Sequence, residues 1–268
     1  MTMSDTRFAG SIPGLYDRLL GPLLFIPYAQ EVARRVSATG AGKVLETAAG
    51  TGLVTEAVQR AMPDADIVAT DLNPDMLAVA ADRISSPRVS FQQADAMALP
   101  FADAGFDLVI CQFGVMFYPD RVRANAEARR VLRDGGTYLI VVWDALDRNS
   151  ASRIVSDALA ELFPANPPNF LARTPFGYSD PDLIRSDLRE AGFARVRLET
   201  IALASLPTSA AEAATGLVAG SPLRNEVEAF GPQSLDEAIR AATAALARHE
   251  VDGQLRSTLS AHVVTAVK

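Results

Sequence analysis

Lys43-Val44-Leu45-Glu46-Thr47-Ala48-Ala49-Gly50-Thr51-Gly52 joins an apolar run to a turn of small residues. The apolar half reads as a strand, the small residues as a tight turn, and the residues after Gly52 as a helix. Nineteen residues beyond Gly52, Asp71 ends a second apolar run, Ile67-Val68-Ala69-Thr70-Asp71. Small residues let a backbone approach a ligand closely. The helix that follows offers free N–H groups and a positive dipole end. Ligands of open α/β sheets sit outside the carboxyl ends of the strands. Glu46 and Asp71 stand there, the first suited to an ammonium group and the second to the two hydroxyls of a ribose.

The spacing narrows the turn. A dinucleotide fingerprint needs a third small residue three positions after its second glycine. Gly50 and Gly52 are followed there by Thr55. A phosphate-binding Gly-Lys-Ser/Thr loop is absent. The turn is therefore neither a dinucleotide fingerprint nor a triphosphate loop.

Outward from the turn, strands and helices alternate. Strands are expected at 43–47, 66–71, 88–92, 106–112 and 137–143, and helices at about 52–62, 73–85 and 120–133. Asn73 is a suitable N-cap with Pro74 at the first helical position. Asp134-Gly135-Gly136 is expected to stop the third helix. Strict alternation predicts an α/β fold with a doubly wound, mostly parallel sheet. Two helices are expected over 11–40, broken at Gly21-Pro22, after a loose tail at 1–10. Further helices are expected at 150–162 and 180–191. A strand at 194–203 is expected to turn Val196, Leu198, Thr200 and Ala202 to one face. Residues 208–258 read as mostly helical, and a short strand opened by His262 closes the chain.

These motifs resemble the class I S-adenosylmethionine-dependent methyltransferases, most closely the methyltransferase type 11 and ubiquinone/menaquinone-methyltransferase-like group. Residues 44–52 resemble the first motif, usually E/D-x-G-x-G-x-G, with Ala48 in place of its first glycine. Asp71-Leu72-Asn73-Pro74-Asp75-Met76-Leu77 resembles the second. Residues 93–101, which carry Asp95 and Ala96, resemble the third, and residues 106–117 the fourth. Residues 131–137 resemble the turn before strand five.

The resemblance implies a seven-stranded Rossmann-like sheet with its last strand antiparallel, inserted between strands five and six, and an added helical cap. It implies S-adenosylmethionine as cofactor. Glu46, Ala48, Gly50 and Gly52 would hold the methionyl end, and Asp71 the ribose. Leu72 and Met76 would flank the adenine, with Asp95 and Ala96 at its edge. Gln112 and Phe113 would line the sulfonium, and Tyr16 would close over the methionyl end. The implied organisation is an N-terminal helical cap at 1–40, a cofactor-binding core at 41–204 and 259–268, and a helical insertion at 205–258.

Bulk properties restrict the acceptor. The chain has 268 residues, with 25 basic against 32 acidic side chains and a net charge of −7, which disfavours a nucleic-acid partner. One cysteine, Cys111, and two histidines leave no disulfide framework and no Cys- or His-rich metal site. The N-terminus lacks the apolar core of a signal peptide, and the apolar run at 19–29 is too short to span a bilayer, so a cytoplasmic protein is expected. After strand four the chain reads Gln112-Phe113-Gly114-Val115, not the Asn/Asp-Pro-Pro-Tyr/Phe tetrapeptide of exocyclic-amine methylation. No Asp-Asp-Asn metal set is present. A small, partly apolar metabolite is the expected methyl acceptor, with oligomeric state open. Tyr118, Asp144, His249 and His262 are the candidates for a general base, each with a structural role as its competing explanation. Two other functions compete: a cofactor-binding protein without transfer activity, and a nicotinamide-dependent oxidoreductase.

Overall fold

The computed structural model describes residues 12–268. The tail expected at 1–10 lies outside them. Seven strands form one sheet in the order β3-β2-β1-β4-β5-β7-β6. They are β1 (Lys43–Thr47), β2 (Asp66–Asp71), β3 (Val89–Gln93), β4 (Phe106–Gln112), β5 (Leu132–Trp143), β6 (Arg195–Ala204) and β7 (Thr258–Val267). The pairs β1–β2, β2–β3, β1–β4 and β4–β5 are parallel. β7 runs antiparallel to β5, from Thr137↔Val267 to Trp143↔Ala261. The near-continuous apolar runs of β4 and β5 suit central strands covered on both faces.

The helices are α1 (Ile12–Leu15), α2 (Ile26–Val36), α3 (Leu53–Ala61), α4 (Pro74–Arg83), α5 (Arg121–Val131), α6 (Ser150–Leu162), α7 (Phe170–Arg173), α8 (Pro181–Glu190), α9 (Ala210–Ala219), α10 (Leu223–Glu228) and α11 (Ser234–Ala247), with a π-helix at Tyr16–Phe25 between α1 and α2. The cap expected at Asn73 is present: its side chain accepts from Asp75 N at 2.9 Å. α3 and α4 approach closely at Gly52, where an added Cβ would lie 2.9 Å from Ala80 Cβ.

Four local expectations are corrected. The chain does not break at Gly21-Pro22 but continues as a π-helix into α2. Pro22 has no N–H to donate, and a wider turn relieves the clash of its ring with the carbonyl four residues back. Asp134-Gly135-Gly136 does not stop α5, which ends at Val131; β5 begins at once, and Leu132 pairs with Phe106 before the register jumps to Leu108↔Thr137. Residues 133–136 form the resulting bulge, with Gly135 at φ +74°. Arg133 anchors it by an ion pair to Asp107, whose Oδ2 also accepts from Gly42 N and Lys43 N at 2.7 and 2.8 Å. In β6, Val196 and Leu198 turn inward, but Thr200 and Ala202 are exposed, and Ile201 and Leu203 take the inner positions instead. The strand shifts phase at Glu199, as an edge strand can. β7 starts at Thr258, so His262 lies within it rather than at its start.

The chain divides into two compact units. One contains Tyr28–Trp143, Tyr178–Ile201 and Ala261–Lys268, and so most of the sheet. The other comprises the chain up to Pro27, Asp144–Gly177 and Ala202–Ser260. In it α11 packs on α9 and α6, and α9 packs on the π-helix. Gly216 makes that last approach possible: an added Cβ would meet Leu19 Cβ and Leu20 Cδ2 at 3.0 Å. Ser209 and Glu212 close the start of α9 as a capping box. Among the described residues, no helix is long and apolar enough to cross a membrane.

Candidate functional site

In the sheet unit, β1, β2, β3 and β4 end side by side, and the strand order reverses between β1 and β4. This is the topological switch point, where open α/β sheets bind ligands. The turn after β1 alternates through left-handed conformations at Ala48 (φ +53°), Gly50 (φ +56°) and Gly52 (φ +80°). Ala49 N ties it to Thr70 O at 2.9 Å. At Gly50 the turn faces open space, since an added Cβ would meet only Met76 Cε, at 4.0 Å.

Ala48 carries a methyl group in a conformation that costs L-residues about 1–2 kcal/mol. Gly114 is its counterpart. A Cβ there would lie 2.5 Å from Ala48 Cβ and 2.8 Å from Cys111 Sγ. The alanine at the first motif position fits because residue 114 has no side chain.

Three acids stand at the strand ends. Glu46 is buried, with 3% of its surface exposed. Its Oε2 accepts from Thr55 Oγ1 at 2.6 Å, and its carbonyl from Thr70 Oγ1 at 2.8 Å. Burial pushes its carboxyl from 4.5 up to about 8; the Thr55 hydrogen bond opposes this and the charge of Asp71 adds to it. Asp71 binds the turn itself: Oδ2 accepts from Gly50 N and Oδ1 from Asn73 N, both at 2.8 Å. Burial raises the Asp71 carboxyl as well, while the N–H groups of Asn73, Gly50 and Leu72 pull it back. Asp95 accepts from Met97 N at 2.8 Å and shapes the bend after β3, with Ala96 buried beside it. Leu72 is 62% exposed, unusual for a leucine, whereas Met76 is buried.

Gln112 ends β4. Phe113 follows in a left-handed conformation at φ +55°, held by its N–H on Val141 O at 2.8 Å. Its ring stacks on Trp143 at 3.7 Å and meets Tyr28 edge-on at 5.4 Å. Thus Glu46, Ala48, Gly50, Gly52, Asp71, Leu72, Met76, Asp95, Ala96, Gln112 and Phe113 all belong to the sheet unit, on or just beyond strand ends. Tyr16 belongs to the other unit, where it stacks on Phe25 at 4.7 Å.

Three of the four candidate bases are engaged structurally. Tyr118 Oη donates to Thr47 Oγ1 and lies against Cys111 Sγ, each at 3.4 Å, and burial holds its phenol well above 10. Asp144 accepts from Ala145 N at 2.7 Å and Ser260 Oγ at 2.8 Å. His262 is buried, with Nδ1 2.9 Å from Thr200 Oγ1 and Nε2 2.9 Å from Ser179 O. His249 is exposed just beyond α11.

Sequence reasoning missed three residues. Arg83, on α4, donates from Nε to Thr51 O at 3.1 Å and from Nη1 to Glu56 at 3.3 Å, so it braces the turn from behind. Thr51 Oγ1 is buried with no hydrogen-bond partner among the described residues. Thr55 holds Glu46. Its place in the first helical turn was the one available signal; nothing distinguished Arg83 in advance.

An open turn face, an orphaned hydroxyl within the turn and acids at three successive strand ends fit a ligand with a cationic end and a ribose. A family model described as a methyltransferase domain matches residues 44–136. The ubiquinone/menaquinone biosynthesis C-methyltransferase UbiE of Methylobacterium nodulans is 30% identical over 177 residues, covering 61% of this chain and 70% of that protein. The chain belongs to the class I S-adenosylmethionine-dependent methyltransferases. An uncharacterized protein of Mycobacterium tuberculosis is 39% identical over 129 residues; the match covers 46% of this chain but only 42% of that relative's length. The crystal structure of YcgJ from Bacillus subtilis shares the fold, with a TM-score of 0.58 at 19% identity over 90% of this chain and 98% of its own. In this methyltransferase family the donor is S-adenosylmethionine, and the matched segment contains every candidate donor-site residue except Tyr16.

Proposed function

We propose that the chain transfers a methyl group from S-adenosylmethionine to a small, partly apolar metabolite. The observation that carries the donor side is that Glu46, Asp71 and Asp95 stand at or just beyond the ends of three adjacent strands, with Asp71 bonded to the N–H of Gly50, whose turn faces open space. Glu46 and the turn's backbone would hold the methionyl ammonium, and Asp71 the ribose hydroxyls. Asp95 and Ala96 would meet the adenine edge, with Leu72 and Met76 on its faces, which accounts for a leucine left 62% exposed. Gln112 and Phe113 would line the sulfonium.

When bound, the donor supplies an electrophilic methyl on a cationic sulfur. What the chain supplies is alignment, which converts a bimolecular displacement into one within a complex. Phe113 suits that work, because a stack on Trp143 and a left-handed backbone fix its ring. A general base is needed only for an acceptor that is not already nucleophilic. The structural engagement of Tyr118, Asp144 and His262 agrees with a reaction that does not depend on one.

For the acceptor, two observations support a small molecule. The net charge of −7 opposes nucleic acid. The Methylobacterium relative bears a name from quinone biosynthesis, so a phenol, quinone or polyketide-like compound is the class to try. S-adenosylhomocysteine should raise the melting temperature, because a ligand that binds only the native state stabilises it. Asp71→Ala should abolish the rise. With donor binding established, S-adenosylmethionine and a panel of phenols and quinones should yield a product 14 mass units heavier, and total RNA should not. A wild-type protein indifferent to S-adenosylhomocysteine would refute the reading.

A further inference from the structure

We propose that Glu46 is a proton-coupled receptor for the donor's ammonium group, held in place by Thr55, so that donor binding expels a proton from Glu46. The proposal rests on the donor-site reading above and adds a linkage to it.

The geometry sets up the coupling. Glu46 is almost wholly buried, and its side chain is hydrogen-bonded to a neutral hydroxyl, Thr55 Oγ1, at 2.6 Å. Among the described residues, no ion pair includes Glu46. Among the described residues, the charged groups on the elements around it supply no cation to its carboxyl. On β2, Asp71 acts on it as a like charge. On β4, Cys111 follows Ile110, the register partner of Glu46, and is itself buried. On α3, Glu56 is taken up by Arg60 and Arg83. A carboxylate so placed lacks both solvent and counter-ion, and desolvation favours its neutral form.

An ammonium group arriving beside it reverses the balance. An opposite charge within a few ångströms favours the ionised acid. The O–H bond of Glu46 breaks, its electron pair stays on the carboxylate, and the proton leaves to solvent; the ammonium keeps its three protons and nothing is oxidised or reduced. Thr55 can donate to Oε2 in either state, so it is a positioning residue that fixes the carboxyl group before and after the change. The glycine or alanine of a dinucleotide turn could not take that role.

The test is calorimetric titration of the whole chain with S-adenosylhomocysteine near neutral pH, in phosphate and in Tris, which differ in ionisation enthalpy. Wild type should release about one proton per ligand bound, and its affinity should rise about tenfold per pH unit between pH 6 and 7 and level off above pH 8. Glu46→Gln should bind more weakly, release no proton and show a flat pH profile. Thr55→Val should weaken binding, and Thr55→Ser should restore it. Binding by wild type with a heat independent of the buffer would overturn the coupling while leaving the donor site intact. Proton release retained in Glu46→Gln would overturn Glu46 as its source. No binding by wild type would overturn the donor-site reading, and this inference with it.

Discussion

Replacing Glu46 by Gln should make the protein more stable, and increasingly so as pH rises. The carboxyl ordinarily ionises at 4.5 and in the folded chain only at about 8. Between those values the native state holds a proton that the unfolded chain has lost. Stability therefore falls as pH rises across this window; it is fully present below 4.5 and lost through about 8. The gap is roughly 3.5 pH units, and at about 1.36 kcal/mol each it sets a limit on the order of 5 kcal/mol, of which about 3 kcal/mol is already lost at pH 7. Gln copies the neutral acid in shape and can still accept from Thr55 Oγ1, but it has no proton to lose. The two proteins should unfold at nearly the same urea concentration at pH 4.5. By pH 7 the variant should lead by about 2–3 kcal/mol at unchanged urea dependence, allowing for water reaching the site. Apart from Asp71, whose charge acts on Glu46, the other titrating groups are common to both proteins and cancel in the difference. Stability profiles that stay parallel from pH 4.5 to 8 would show that Glu46 ionises as an ordinary surface acid, and would sink the reasoning. The same variant should bind the donor less well, which makes the wild-type glutamate an instance of stability given up for a site.

Other perturbations probe the frame around that acid. Gly114→Ala should destabilise by about 1–3 kcal/mol, because its Cβ would lie 2.5 Å from Ala48 Cβ, and adding Ala48→Gly should recover much of the loss in a double-mutant cycle by thermal denaturation. Additive effects would deny that the two positions are coupled. Asp71→Ala should cost about 1–3 kcal/mol for each of the Gly50 and Asn73 N–H groups it strands, a loss visible in urea without any ligand. Tyr118→Phe should lower stability slightly, by about 1 kcal/mol, and leave the pH profile of methyl transfer unchanged, since its hydroxyl only joins Thr47 and Cys111. A basic limb that disappeared in Tyr118→Phe would restore tyrosine as the base.

The parallel core was legible because each signal there is local. β1, β2 and β4 begin and end where their apolar runs do, and Asn73-Pro74 starts α4 by a side chain two residues from its target. The errors fall where a distant partner decides. Leu132 joins the sheet because Phe106 is opposite, and the Gly135-Gly136 pair then serves a bulge instead of a helix end. The phase shift of β6 at Glu199 follows from an edge strand's freedom, which no alternation of residues announces. The five residues before His262 are mostly polar or small and do not announce a strand, yet Leu259 and Ala261 are fully buried in it.

The site divides along the same line. Glu46, Asp71 and Asp95 could be found as strand-end acids, but not what each does in the folded chain. Asp71 spends both oxygens on backbone N–H groups of the turn and the next helix, so it is part of the turn's construction as well as its chemistry. A ribose that drew on the same oxygens would therefore tighten or loosen Gly50 directly. Glu46 was expected as a carboxylate, since that is the ordinary state of the residue. Packing makes it an acid: burial removes its solvent, Thr55 of α3 gives it one neutral hydrogen bond, and Asp71 adds a like charge. Protonation state is a property of the surroundings, and those surroundings come from β2 and α3. The glycine turn and its two acids therefore act as one device, in which Asp71 shapes the backbone and Glu46 holds a neutral site ready for a cation.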